Sequence, residues 1–152
     1  MVAFMRRRFV TLLASLAAAS LLPSRAARAQ ADPFADLLKK VTGGATVRLG
    51  RVTVDTPRLA DNGHSVPLTV SVESPMTAAD HVRSITLLSE RNPRPLMATF
   101  HLGPKTGRAE VTTRVRLNGT QRVLAVAHLA DGSYWSGTAE VEVTESACLD
   151  MT

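Results

Sequence analysis

An all-β fold, specifically an immunoglobulin-like antiparallel β-sandwich with a short N-terminal helix, is what this sequence of 152 residues predicts. Three observations carry the prediction. Seven runs after Gly44 alternate apolar and polar residues with period two, the pattern of antiparallel strands with one face buried. Clusters of turn-forming residues separate them, and no helical periodicity is interleaved. The sequence holds one cysteine, so the inter-sheet disulfide of antibody domains is excluded.

Residues 1–31 read as a cleaved export signal. Arg6-Arg7-Arg8-Phe9-Val10 supplies a basic head, and Thr11 to Leu22 an apolar stretch too short to span a bilayer. Ala29-Gln30-Ala31 is a small-x-small cleavage site, with Ala27-Arg28-Ala29 as a near alternative. Paired arginines followed by x-Phe-Val fit the twin-arginine type of signal. Removing Arg6, Arg7, Arg8, Arg25 and Arg28 from the 18 basic residues leaves 13, equal to the 13 acidic ones, all of which lie from Asp32 onward. The mature chain is therefore formally neutral, and its charge gives no reason to expect nucleic acid or a membrane surface as a partner. Residues 32–152 are enough for one domain with a modest core.

Residues 32–45 form a helix and linker. Pro33 to Val41 is expected to be helical, with Asp32 as N-cap, Pro33 in the first turn, and Phe34, Leu37, Leu38 and Val41 on one face. Gly43-Gly44 ends it. So short a helix needs something to pack against, either the domain or a partner.

Residues 46–144 form the sandwich. The expected strands are Thr46–Val54, Val66–Glu73, Asp80–Glu90, Leu96–Leu102, Gly107–Leu117, Thr120–Ala130 and Ser133–Thr144. Asp61-Asn62-Gly63, Ser74-Pro75, Asn92-Pro93-Arg94-Pro95 and Gly103-Pro104 read as turns and corners, and Asn118-Gly119 and Asp131-Gly132 are the strongest tight-turn signals. Tyr134 and Trp135 are expected to point to opposite sides of the last strand, one ring outward and one into the core.

The chain carries little material for catalysis. It has no glycine-rich phosphate loop, no Cys-x-x-Cys, no His-Glu-x-x-His and no nucleophile elbow. His64, His81, His101 and His128 are scattered, and no metal or cofactor site is expected from them. The exception is Cys148, five positions from the last patterned residue, Val143. An unpaired thiol in an exported chain points to thiol chemistry or to pairing between molecules. Residues 145–152 are expected to form a flexible tail. Thr144, Glu145, Ser146, Ala147 and Leu149 then make an arm that carries Cys148 roughly 16–18 Å from the sheet edge when extended. A free thiol has a pKa of about 8.5, and the neighbouring Glu145 and Asp150 oppose ionisation, so the sulfur is a handle rather than a self-sufficient catalyst.

Several segments together bear a resemblance. They are Asp61-Asn62-Gly63, the run Val66 to Thr77 through Ser74-Pro75-Met76-Thr77, Asn92-Pro93-Arg94-Pro95 with Ala98-Thr99-Phe100-His101, the run Gly107 to Leu117, Thr120-Gln121 and Ala130-Asp131-Gly132-Ser133. With the export signal and the tail cysteine they resemble the SoxY family, sulfur-carrier subunits of periplasmic thiosulfate-oxidising systems. The resemblance runs from about Pro33 to Thr144. It implies a periplasmic protein that catalyses nothing itself and pairs with a SoxZ-like subunit as a heterodimer. It also implies sulfur intermediates held covalently on Cys148. The family's pathway adds three partners: a haem-containing conjugating enzyme, a sulfate-releasing hydrolase and a sulfur dehydrogenase. The tail departs from the family's Gly-Gly-Cys-Gly-Gly, reading Ser146-Ala147-Cys148-Leu149-Asp150 before Met151-Thr152. The alternative is therefore a SoxY-like interaction or scaffold protein without carrier chemistry, and a dimer linked through Cys148 is a third reading.

Overall fold

The structure is a computed structural model that describes residues 32–146. A helix α1 (Ala35–Thr42) precedes nine strands: β1 (Val47–Leu49), β2 (Val52–Asp55), β3 (Leu59–Asn62), β4 (Val66–Val72), β5 (Val82–Ser89), β6 (Leu96–His101), β7 (Glu110–Val115), β8 (Gln121–Leu129) and β9 (Tyr134–Glu145). The larger sheet runs β1-β9-β8-β5-β6, with β3 also paired to β9, and the smaller runs β2-β4-β7. The two sheets form the expected immunoglobulin-like sandwich. No helix among the described residues is long and apolar enough to cross a membrane.

The core lies where the alternation predicts it. Val66, Leu68, Val70 and Val72 of β4 face Ile85 and Leu87 of β5 and Val123, Ala125, Ala127 and Leu129 of β8, all buried. Each fully buried Val, Leu or Ile contributes roughly 1.5–3 kcal/mol of transfer free energy. β8 is buried on both faces because α1 covers its outer side. There Phe34, Leu37, Leu38 and Val41 pack on Leu88, Leu124, Val126 and Tyr134. The helix thus packs against its own domain. Arg122 ties the same corner together, reaching Glu90 at 3.3 Å and Asp32 at 3.5 Å with its guanidinium 5.3 Å from the Phe34 ring centre.

Four details differ from the sequence reading. First, α1 starts at Ala35, because Asp32 closes a turn instead of capping a helix at Pro33. Its carboxylate accepts from the Phe34 N–H (3.2 Å) and its carbonyl from the Ala35 N–H (2.9 Å). Second, the expected strand Thr46–Val54 breaks at Gly50-Arg51, both with positive φ (108° and 56°). β1 belongs to the larger sheet and β2 to the smaller, so this kink is where the chain changes sheets.

Third, β3 takes up Asp61 and Asn62, expected as a turn. Its four residues leave Leu59 exposed and only Ala60 half buried, so no alternation betrays it, and its partner β9 lies some eighty residues on. Fourth, both β1 and β3 pair with β9 in parallel, so the sheet is mixed. Of the two strongest turn signals, Asp131-Gly132 closes the β8–β9 hairpin. The Leu129 N–H donates to the Ser133 carbonyl (3.0 Å), and Gly132 takes φ 84°. Asn118-Gly119 instead makes the corner by which the chain crosses from β7 to β8.

Trp135 faces the main core and Tyr134 the outer side, where its ring stacks on His128 at 4.4 Å. Arg48 and Arg51 lie 5.5 and 5.4 Å from the Trp135 ring centre. Their cation–π attraction helps hold Arg51 in its left-handed conformation, together with the Glu73 N–H that donates to its carbonyl (2.8 Å).

Candidate functional site

The C-terminal end of β9 is the root of whatever follows, and its construction starts with strand pairing. β8 and β9 run antiparallel from His128↔Tyr134 to Gln121↔Val141. Beyond that rung β8 has ended, and the hydroxyl of Thr120 takes over. It accepts from the Val143 N–H (3.0 Å) and donates to the Val143 carbonyl (3.5 Å). A side chain here stands in for one more rung of ladder. On the other edge β3 continues alongside, with Ala60↔Val143 and Asn62↔Glu145 in register. The Gly63 N–H donates to the Glu145 carbonyl (2.7 Å), and the Thr144 hydroxyl to the Ala60 carbonyl (3.4 Å).

Of the expected arm, then, Thr144 and Glu145 are strand residues held from β3. Ser146 follows directly, its hydroxyl hydrogen-bonded to the side-chain oxygen of Asn118. Ala147, Cys148 and Leu149 lie outside the described residues. Two peptide steps separate Ser146 from Cys148, so the backbone between them spans at most about 7 Å.

Asn118 belongs to a polar cluster whose members sequence reading assigned separately, Asn92 and Asn118 to turns and Thr120 and Gln121 to a strand. The Asn92 side-chain oxygen accepts from the Asn118 N–H (2.9 Å) and from the Gln121 amide (3.0 Å), while its NH₂ donates to the Arg116 carbonyl (2.8 Å). The Gln121 side-chain oxygen accepts from the Arg91 N–H (3.0 Å), and the Arg91 guanidinium donates to the Thr120 carbonyl (2.9 Å). The buried Gln121 amide is thus satisfied on both its oxygen and its nitrogen. The β5–β6 turn, the β7–β8 corner and the end of β9 are one hydrogen-bonded unit. Asn residues in two turns, with Thr120-Gln121 just after the second, were the available signal, but sequence spacing alone does not bring residues 92, 118 and 146 together.

Beside this unit, between β6 and β7, lies an open groove of about 290 Å³ lined by Asn92, Arg94, Leu96, Thr113, Arg114 and Arg116 among others. Both strands are sheet edges. Elsewhere, burial and the nearby Arg83 hold the His128 imidazole below the usual histidine range, against a smaller opposing pull from Asp131. Among the described residues no three His, Cys, Asp or Glu side chains gather as a metal site would require.

Comparison with known proteins fits this architecture. The family model described as sulfur oxidation protein SoxY matches residues 38–148. The solved sulfur carrier protein SoxY from Chlorobium limicola f thiosulfatophilum is similar at 25% identity and TM-score 0.61, over 71% of this chain and 89% of that one. A superoxide reductase (neelaredoxin) from Ignicoccus hospitalis is similar at 20% identity and TM-score 0.55, over 62% of this chain and 80% of that one. A putative superoxide reductase from Thermotoga maritima is similar at 20% identity and TM-score 0.54, over 71% of this chain and 91% of that one. These last two share the fold alone. No curated protein matches the sequence. Since the family match takes in every strand and ends on the cysteine itself, this chain belongs to the SoxY family of sulfur oxidation proteins.

Proposed function

We propose that the chain is a sulfur carrier of the Sox thiosulfate-oxidising system, exported to the periplasm and holding intermediates covalently on Cys148. The observation that supports this most is the extent of the family match, which continues past the sandwich to residue 148. In this reading the Cys148 thiolate and thiosulfate join through a new S–S bond as Cys–S–S–SO₃⁻. The two electrons released pass to the haem-containing conjugating enzyme. The hydrolase then uses water to cleave the bond to the sulfonate sulfur, releasing sulfate and leaving a persulfide. The sulfur dehydrogenase oxidises the persulfide sulfur. The chain supplies the thiol and a rigid body, and catalyses none of these steps. A SoxZ-like subunit is its heterodimer partner.

The test is mass spectrometry of the C-terminal peptide, after the mature chain and its SoxZ-like subunit are incubated with thiosulfate and the conjugating enzyme. A thiosulfonate adduct on Cys148 is expected. An unmodified peptide, under conditions that modify a SoxY ending in Gly-Gly-Cys-Gly-Gly, rejects the reading.

The replacement of the family's glycines by Ser146, Ala147, Leu149 and Asp150 favours one second reading, a SoxY-like scaffold that carries no sulfur. A Cys148→Ser chain that still binds its subunit but no longer supports thiosulfate oxidation rejects that alternative.

A further inference from the structure

We propose that the groove between β6 and β7 is an oxyanion site for thiosulfate-class anions, taken either free or as the terminal sulfonate of an adduct on Cys148. The second form of ligand rests on the carrier reading above; the first does not.

The argument begins with charge. Arg94, Arg114 and Arg116 all line the groove, and none of its lining residues is acidic. In a mature chain of zero formal net charge, three arginines without a carboxylate along one groove are a local concentration of positive charge. Among the described residues the three make no ion pair. The bridges that form involve Arg51 with Asp80, and Arg122 with Asp32 and Glu90. The Arg114 guanidinium donates only to the carbonyl and hydroxyl of Ser65 (3.4 and 3.3 Å), which leaves its charge uncompensated. Guanidinium is the side chain best matched to planar, multidentate recognition of oxyanions.

Positioning comes next. Arg94 sits in the β5–β6 turn and Arg116 in the segment leading to the β7–β8 corner. These two pieces of chain are joined by Asn92, whose side chain bonds the Arg116 carbonyl and the Asn118 N–H. The spacing of the two cationic segments is therefore fixed before any ligand arrives, which lowers the cost of binding. A volume of about 290 Å³ lies at the small end of ligand sites and suits a compact ion. Since β6 and β7 are both edge strands, their outward main-chain groups are available as further polar contacts.

Proximity to the thiol completes the case. Ser146 bonds Asn118, which bonds Asn92, a lining residue of the groove. The chain that carries Cys148 thus leaves the body from the hydrogen-bonded unit that lines the groove, with at most about 7 Å of backbone between Ser146 and the cysteine.

The experiment uses the mature chain together with its SoxZ-like subunit, in two arms. In the first, inorganic thiosulfate is titrated calorimetrically into Cys148→Ser protein at constant ionic strength set with chloride. Saturable binding is expected, weakened at least tenfold in an Arg94→Ala/Arg116→Ala variant whose melting temperature matches its parent, and largely kept in Arg94→Lys/Arg116→Lys. In the second, the Cys148 thiosulfonate adduct is challenged with a small thiol. Removing the two arginines is expected to accelerate its loss severalfold. Binding that does not saturate, or that ignores the arginines, overturns the proposal. Arginine-dependent binding of free thiosulfate with no adduct ever forming on Cys148 keeps the groove as an oxyanion site and rejects the carrier reading instead.

Discussion

Gly137→Ala should destabilise this domain by roughly 2–3 kcal/mol, although glycine is ordinarily a weak choice inside a strand. Gly137 sits in β9 opposite Ala125 of β8, at a position whose side chain points between the sheets. A Cβ built there meets the Val52 carbonyl oxygen at 2.1 Å, its carbon at 2.9 Å and the Val52 Cβ at 3.3 Å. Val52 begins β2 immediately after the Gly50-Arg51 kink, so the clash is with main chain whose path is fixed by pairing to Val72. To restore a contact near 3.0 Å, β2 must withdraw from β9 by about 1 Å where the chain changes sheets. Over-packing typically costs 1–3 kcal/mol, and a 2.1 Å clash with backbone that cannot rotate away puts this case at or slightly above the top of that range, about 3 kcal/mol. Against this, alanine reduces the entropy of the unfolded chain by about 0.4–1 kcal/mol, and no positive φ adds strain at Gly137. The net loss corresponds to a fall in Tm of about 10 °C for a domain of this size. Urea unfolding followed by circular dichroism should show a lower midpoint with an unchanged slope. Gly103→Ala, at an extended residue with nothing within 4 Å of the added methyl, serves as the matched control and should be neutral or slightly stabilising. If Gly137→Ala unfolds at the same urea concentration as the parent, the close approach of β2 and β9 is not a constraint and this account of the sheet switch is wrong.

The root of the tail offers a second prediction. Thr120→Val should raise hydrogen exchange at the Val143 amide about tenfold while global stability falls by only about 1 kcal/mol, since one hydrogen-bonded rung is lost at a strand end; unchanged exchange at Val143 would show that the hydroxyl does not extend the ladder. A third concerns acid. The Arg122 side chain, and then its N–H and charge, hold the Glu90 carboxyl below its ordinary 4.5 in spite of burial. Its stabilising contribution is present above pH 4.5 and is lost as pH falls through the lower folded value. Glu90→Gln should therefore be less stable at pH 6 and show a smaller drop on acidification, measured as urea midpoints at several pH values. Fourth, His128 has a depressed pKa from burial first and Arg83 second, so its imidazole should titrate below 6.5 by NMR and stability should decline as pH drops beneath that value. A His128 midpoint above 6.5 would contradict the stacked, partly buried placement on Tyr134.

Most of the fold was legible because most strands have one buried face. The alternation of Val66, Leu68, Val70 and Val72 reports a physical asymmetry between core and solvent, and period two is its only regular solution in a sheet. Where that asymmetry fades, the sequence goes silent. β1 has three residues with none buried, and β3 has four with one half buried. Each exists because β9, at twelve residues the longest strand, offers unpaired edge positions that these short segments satisfy in parallel. The Gly50-Arg51 kink was hidden for a related reason. A run of Val47, Leu49, Val52 and Val54 looks continuous. Nothing in that pattern shows that the chain steps between sheets there and carries Val52 over Gly137.

The cysteine and its family were equally legible, one as an isolated thiol and the other as a combination of motifs. The root that presents the thiol was not. Asn92 and Asn118 read singly as turn residues, Thr120 as a strand start and Ser146 as part of the tail, and the side-chain bonds that tie them and Val143 together span 23 to 28 positions, which leaves no periodic trace. This matters for the chemistry more than for the fold. An arm counted from Val143 reaches roughly 16–18 Å and lets an enzyme work well away from the body. With Thr144 and Glu145 in the strand and Ser146 bonded to Asn118, only about 7 Å of backbone remains before Cys148. Under the carrier reading, any enzyme that acts on the sulfur must then bring its catalytic cleft up to the β7–β8 corner. The side chains around that corner, Arg94 and Arg116 among them, become part of the surface it meets. Lengthening the chain by three glycines between Ser146 and Cys148 would separate the two geometries. A close-docking enzyme loses its contacts with the corner as the sulfur moves outward, so its KM for the carrier should become insensitive to Arg94→Ala/Arg116→Ala. For an enzyme that already works at a distance, the insertion should change nothing.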